Sequence, residues 1–122
     1  MEDLTLIYTS YFSSRKYKTE DGVAIARWCS FWSGSKFSAL APSEELLEWW
    51  KSLPFKDREK AEPKWHYEKL YRKQTLSKLD PKEVARLLEG KTLLCFEKSE
   101  DFCHRHIVAK WLQEAGFECE EL

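Results

Sequence analysis

The sequence predicts an α/β domain of three layers, of the Rossmann-like or flavodoxin-like kind, on a small and mostly parallel sheet. Three observations predict it. The mainly apolar stretches at residues 4–8, 23–26 and 92–96 are near-continuous rather than alternating, as in strands covered on both faces. Helical stretches with their own start signals separate the second run from the third. An amphipathic helix follows the third run, so strands and helices interleave.

Taken in order, Leu4-Thr5-Leu6-Ile7-Tyr8 is β-prone and leads into the polar Thr9-Ser10-Tyr11, giving an expected strand over 4–9. Asp21-Gly22 introduces the second run and Arg27 ends it, giving a strand over 23–27. Residues 30–36 read as a loop. Ser43 caps a helix with Glu44 and Glu45 in its first turn and Leu46, Leu47, Trp50 and Leu53 on its inner face. Pro63 suits the first turn of a helix carrying Trp65, Leu70 and Tyr71. Asp80-Pro81-Lys82-Glu83 reads as a capping box, with Gly90 as the stop after Leu87 and Leu88. The third strand covers 92–96. In the last helix Ile107, Val108, Trp111, Leu112 and Ala115 form one apolar stripe ended by Gly116. Asp101 is its expected N-cap, which sets Cys103, His104 and Arg105 in the first turn. Residues 117–119 add a last strand.

At 122 residues the chain reads as one domain over 1–122, because halves of about 60 residues would have marginal cores. Charged residues at 34% and hydrophobic ones at 43% exclude a fibrous or fully disordered chain. The longest apolar runs are four residues, far below the ~20 that span a bilayer, so no membrane partner is expected. Met1-Glu2-Asp3 lacks the pattern of a secretion signal, and the expected location is cytoplasmic. A net charge of -1 gives no global field for nucleic acid. Locally, residues 64–86 hold seven basic side chains against three acids, a solvated helix face or the footprint of a polyanion. Cys29, Cys95, Cys103 and Cys119 contain no CxxC spacing, so free thiols are expected and no metal is assigned.

Ligands of open α/β sheets bind beyond the carboxyl ends of the strands. That rule collects Thr9, Ser10 and Tyr11 from the first strand, Arg27 from the second, and Cys95 and Glu97 from the third. The last helix adds Cys103-His104-Arg105. A helix start with an Arg and a His is suited to a phosphate or carboxylate, and the same setting favours a thiolate at Cys103. Glu97 is either a proton-transfer group or the ion-pair partner of Arg105 or Arg27. Trp28, Phe31, Trp32 and Phe37 crowd the segment after Arg27, beside Lys36, where they stack on a base, form a lid or brace the sheet.

Four stretches carry a family resemblance: Ile7-Tyr8-Thr9-Ser10-Tyr11-Phe12; Ile25-Ala26-Arg27; Leu40-Ala41-Pro42; and Leu94-Cys95-Phe96-Glu97-Lys98 with Asp101-Phe102-Cys103-His104-Arg105. The chain resembles the domain of unknown function 488 family, whose most specific signature is Cys-x-Glu followed by Cys-His-Arg. Many members place an acid before the Arg of the second strand, where this chain has Ala26. The resemblance implies a three-layer α/β domain with a polar site around Arg27, Glu97, Cys103, His104 and Arg105. It implies no reaction and no cofactor.

The expected function is an enzyme that binds a phosphorylated or nucleotide-like ligand. Thr9, Ser10, Arg27, Arg105 and Trp32 are expected to bind it, and Glu97, Cys103 and His104 to carry the chemistry. The alternatives are a non-catalytic nucleic-acid or nucleotide-binding module and a thiol redox protein using Cys103 with Cys95.

Overall fold

A computed structural model describes residues 6–98 and 101–122 of the chain. The strands are β1 (Leu6–Tyr11), β2 (Gly22–Ala24), β3 (Ser35–Lys36), β4 (Thr92–Cys95) and β5 (Glu118–Glu121). The α-helices are α1 (Glu44–Ser52), α2 (Phe55–Arg58), α3 (Ala61–Gln74), α4 (Pro81–Leu87) and α5 (His104–Glu114). The five strands form one sheet in the order β3-β2-β4-β1-β5, and every pairing is parallel. The expected α/β class and its three neighbouring central strands are therefore present. The part of the first expected strand at residues 4 and 5 lies outside the described residues.

β4 is central, bonded to β1 on one side and β2 on the other, and all four of its residues are buried. That double coverage is why its sequence, Leu93-Leu94-Cys95 after a buried Thr92, is nearly all apolar. Alternation puts Ile7, Val23, Leu93 and Cys119 on one face, Val23 paired with Leu93 and Ile7 with Cys119. These residues join Leu46 of α1, Tyr67 and Tyr71 of α3, Val84 and Ala85 of α4, and Ile107, Val108 and Leu112 of α5 in one core. On the opposite face Gly22 and Leu94 are covered by Tyr17 and Trp32. A Cβ built at Gly22 would lie 2.8 Å from Leu94 and 2.9 Å from Trp32, so this layer approaches the sheet closely. Its side chains are aromatic rings from irregular chain.

The Ser43 cap is realised as expected, and of the expected capping box Asp80 caps α4 while Glu83 pairs with Arg86 instead of reaching back. Ser43 Oγ accepts from the Leu46 amide at 3.1 Å, and the Asp80 carboxylate accepts from the Lys82 amide at 3.0 Å, with Pro81 opening α4. Gly90 and Gly116 both have positive φ, 76° and 95°, and turn the chain from α4 into β4 and from α5 into β5. Asp101 is not the cap of α5. The N-cap is Cys103, without a side-chain capping bond, and α5 begins at His104. The Asp101 amide instead bonds the Lys98 carbonyl at 3.0 Å, and its own carbonyl accepts from His106 Nε2 at 3.1 Å. The expected loop over 30–36 includes the two residues of β3. Their pairing to Val23 and Ala24 adds an edge too short to carry a sequence pattern.

Strand order fixes where a site can form. From β2 the chain leaves toward β3 at one edge, whereas from β4 it leaves through α5 toward β5 at the other. β2 and β4 are neighbours, so the divergence opens a crevice beyond their carboxyl ends.

Candidate functional site

A cavity of about 360 Å³ occupies that crevice. This is the size range of small-ligand sites, roughly 300–1,000 Å³. Ala26 and Arg27 enter its wall from the end of β2, and Cys95, Phe96 and Glu97 from the end of β4. Trp50, Lys51 and Arg58 come from α1 and α2, Tyr67 from α3, and Phe102, Cys103 and His104 from the start of α5. Trp28 closes one side.

The wall carries three cations held by neutral groups. Arg27 Nε donates to the Pro42 carbonyl at 2.6 Å. Arg58 donates to the Leu53 carbonyl at 3.0 Å and to the Lys51 carbonyl at 2.8 Å. The Lys51 ammonium lies 4.6 Å above the Trp28 ring. Among the described residues no carboxylate lies within ion-pair distance of these three side chains. Their charge therefore remains available to an anion. Glu97 stands at the mouth with much of its surface exposed, yet contact with the wall desolvates its carboxyl and raises its pKa above the ordinary carboxylate value. Its own backbone hydrogen bond and then Arg105 oppose that shift. Burial, reinforced by the Glu97 charge, likewise raises the Tyr67 phenol, which keeps its proton.

Sulfur lies at the inner end of the cavity. Cys95 and Cys103 are joined as a disulfide, while Cys29 and Cys119 are free and buried. This corrects the expectation of four free thiols. The two positions are eight residues apart in sequence, and the bond joins the end of β4 to the start of α5. His104 is buried beside the pair. Its Nε2 lies 2.8 Å from the Ile25 carbonyl and its Nδ1 lies 3.7 Å from Cys103 Sγ. A carbonyl only accepts, so Nε2 carries the proton and Nδ1 presents its lone pair to the sulfur. Desolvation lowers the His104 pKa to about 4, against the pull of that carbonyl, so the ring is neutral near pH 7. The donor atoms of Cys95, Cys103 and His104 lie within 4.8 Å of one another, a spacing a metal ion can bridge. With the sulfurs bonded together neither offers a thiolate, so in this state the group is not a metal centre.

Arg105 is adjacent to this pocket but does not face it. Its side chain is fully buried, with Nε 3.1 Å from Glu121 Oε1 and Nη2 2.8 Å from Glu121 Oε2. Nη1 lies 3.1 Å from Cys95 Sγ. Thr9 donates to the same Glu121 at 2.6 Å, which ties β1, β5 and α5 together. The expected role of Arg105 and Thr9 as ligand contacts is therefore replaced by a closed ion-pair network behind the sulfurs. Ser10 is on the opposite face of the sheet, buried, and its Oγ has no hydrogen-bond partner among the described residues. Trp32 also lies apart from the pocket. Its indole donates to the Ser35 carbonyl at 3.0 Å and covers Gly22, so it braces the sheet while Trp28 forms the pocket wall.

Of the expected site residues, the fold gathers Arg27, Glu97, Cys103 and His104 into one cavity and sets Thr9, Ser10, Arg105 and Trp32 outside it. Sequence reasoning missed Lys51, Arg58 and Phe102 in the wall, and Glu121 behind it. For Glu121 a signal existed: two residues past the inward Cys119, it shares that strand face. In the basic stretch of residues 64–86, Arg72 pairs with Glu68 and Glu114, and Arg86 with Glu83. Lys64 faces a groove shared with Trp50, Arg58 and Glu97.

No curated protein and no solved structure matched this chain. A family model described as the active DUF488-N3 subclade, DUF488-N3a, matches residues 2–116. The chain therefore belongs to the domain of unknown function 488 family, within the span that carries its Cys-x-Glu and Cys-His-Arg residues.

Proposed function

We propose that the protein is an enzyme that binds a phosphorylated, nucleotide-like ligand in the cavity beyond β2 and β4. The observation that carries this reading is the composition of one wall: Arg27, Lys51 and Arg58, with no carboxylate within ion-pair distance among the described residues, beside Trp28, Trp50, Phe96 and Phe102. The cations match a phosphate and the rings match a base. Glu97, raised toward the protonated form, is the proton-transfer group at the mouth. The description of the matched subclade as active is consistent with chemistry there.

The test is calorimetric titration with adenosine monophosphate and, separately, inorganic phosphate. Saturable binding of the nucleotide, tighter than phosphate and weakened about tenfold by Arg27→Ala, supports the proposal; that factor corresponds to about 1.4 kcal/mol. Absence of binding by either titrant overturns it.

The Cys95–Cys103 bond favours a second reading, a thiol-dependent redox protein whose sulfurs open into the same cavity. Reversible reduction and reoxidation of this one pair, followed by alkylation mass shift, tests it. A pair that does not reopen under excess thiol contradicts it.

A further inference from the structure

The two sulfurs are not equivalent, and the difference lies in what touches each of them. Cys103 Sγ faces the lone pair of His104 Nδ1 at 3.7 Å, and the Ile25 carbonyl fixes that tautomer from the far side of the ring. Cys95 Sγ faces the Arg105 guanidinium at 3.1 Å, and Glu121 holds that guanidinium through its other two nitrogens. One sulfur has a base and the other has a fixed cation. Around the cavity in front of them stand Arg27, Lys51 and Arg58.

We propose that the pair exchanges disulfides with a small anionic thiol, Cys103 being the sulfur that attacks the external partner and Cys95 the thiolate that resolves it. This rests on the redox reading above and adds the roles and the substrate class. In the reduced protein the Cys103 thiol faces the lone pair of His104 Nδ1, its proton is released to water, and the Cys103 thiolate attacks one sulfur of an external disulfide RS–SR. The S–S bond of RS–SR breaks and a Cys103–SR bond forms. The first RS⁻ leaves and takes a proton from water. Cys95, a thiolate beside Arg105 that has released its own proton to water, then attacks Cys103 Sγ. The Cys95–Cys103 bond closes, the Cys103–SR bond breaks, and the second RS⁻ takes a proton from water. Two electrons pass from the protein pair to RS–SR, which ends as two RSH. In the reverse direction an external thiolate attacks Cys103, and Cys95 leaves as the sulfur that Arg105 stabilises. A stabilised leaving thiolate departs faster, so both directions select the same partner sulfur. The three wall cations select a carboxylate- or phosphate-bearing R group.

The experiment traps the mixed disulfide. Reduced Cys95→Ser and Cys103→Ser variants are treated with oxidised glutathione and analysed by mass spectrometry with peptide mapping. The expected result is a stable glutathione adduct on Cys103 in Cys95→Ser and little adduct in Cys103→Ser. For the wild-type pair, reaction with oxidised glutathione is expected to fall about tenfold in Arg27→Ala, while reaction with neutral hydroxyethyl disulfide does not change. If a Ser variant does not fold, acid-quenched wild-type protein is mapped during the reaction, and the transient adduct is expected on Cys103. An adduct on Cys95 overturns the assigned roles. Equal effects of Arg27→Ala on the two disulfides overturn the substrate class. A wild-type pair that cycles while neither sulfur carries an adduct overturns this inference and leaves the redox reading standing. A pair that does not cycle at all removes the reading as well.

Discussion

The β2 side of the crevice and the β1–β5 side behind it each hold an arginine, and the two work differently. Arg27 is exposed, and among the described residues its side chain donates to a neutral carbonyl, that of Pro42. Arg105 is fully buried and meets both carboxylate oxygens of Glu121, with Thr9 and Cys95 completing its surroundings. A cation held by a carbonyl keeps its net charge for a ligand. A buried cation held by a half-buried carboxylate contributes geometry, because removing the carboxylate leaves the buried charge uncompensated. The pocket wall is thus electrostatically open, and the floor behind the sulfurs is electrostatically closed.

The largest effect separating the two regions is expected at Glu121. Glu121→Ala leaves Arg105 charged in a buried setting, and urea denaturation should show a loss of roughly 3 kcal/mol or more. A loss below about 1 kcal/mol would mean that the buried pair is not structural, and the comparison would fail.

Next comes acidity. The folded His104 pKa of about 4 lies below its ordinary 6.5, so the unfolded chain binds more protons between those values. Its contribution is present above pH 6.5 and is lost as pH falls toward 4, in total on the order of 3 kcal/mol. Stability measured across that window should fall in the wild type and fall less in His104→Asn. Identical slopes would place the acid sensitivity elsewhere.

A smaller loss is expected beneath the pocket. Tyr71 Oη donates to the Leu40 carbonyl at 2.6 Å inside the core, and Tyr71→Phe leaves that carbonyl unpaired. Denaturation should register about 1–2 kcal/mol, with nucleotide affinity per folded molecule unchanged. The smallest stability change, under about 0.5 kcal/mol, is expected for Arg27→Ala, whose side chain is exposed. Its effect should appear in anion binding, which should also weaken with salt.

What the sequence disclosed followed from patterns that physics makes repetitive. β4 was legible because a strand covered on both faces reads as a near-continuous apolar run, here Leu93-Leu94-Cys95 after Thr92, and α5 because its apolar stripe repeats at helical spacing. β3 was not legible, since two exposed residues carry no period, and α2 is a single turn. At the site, strand-end logic brought Arg27, Glu97 and Cys103 to one place. It could not tell that Arg105 turns inward, because that depends on Glu121 arriving beside β1 from the opposite end of the chain. The Cys103–Cys95 pairing stood only as an alternative, because an eight-residue spacing does not by itself require a bond.

The claim that the cations and the sulfurs share one cavity is tested most directly by ligand protection. After reduction, the alkylation rate of Cys103 is measured with and without a saturating nucleoside monophosphate, in wild-type protein and in Arg27→Ala. The account predicts that the nucleotide slows alkylation several-fold in the wild type and that the protection needs about tenfold more nucleotide in Arg27→Ala. A rate indifferent to every nucleotide and to phosphate would contradict it.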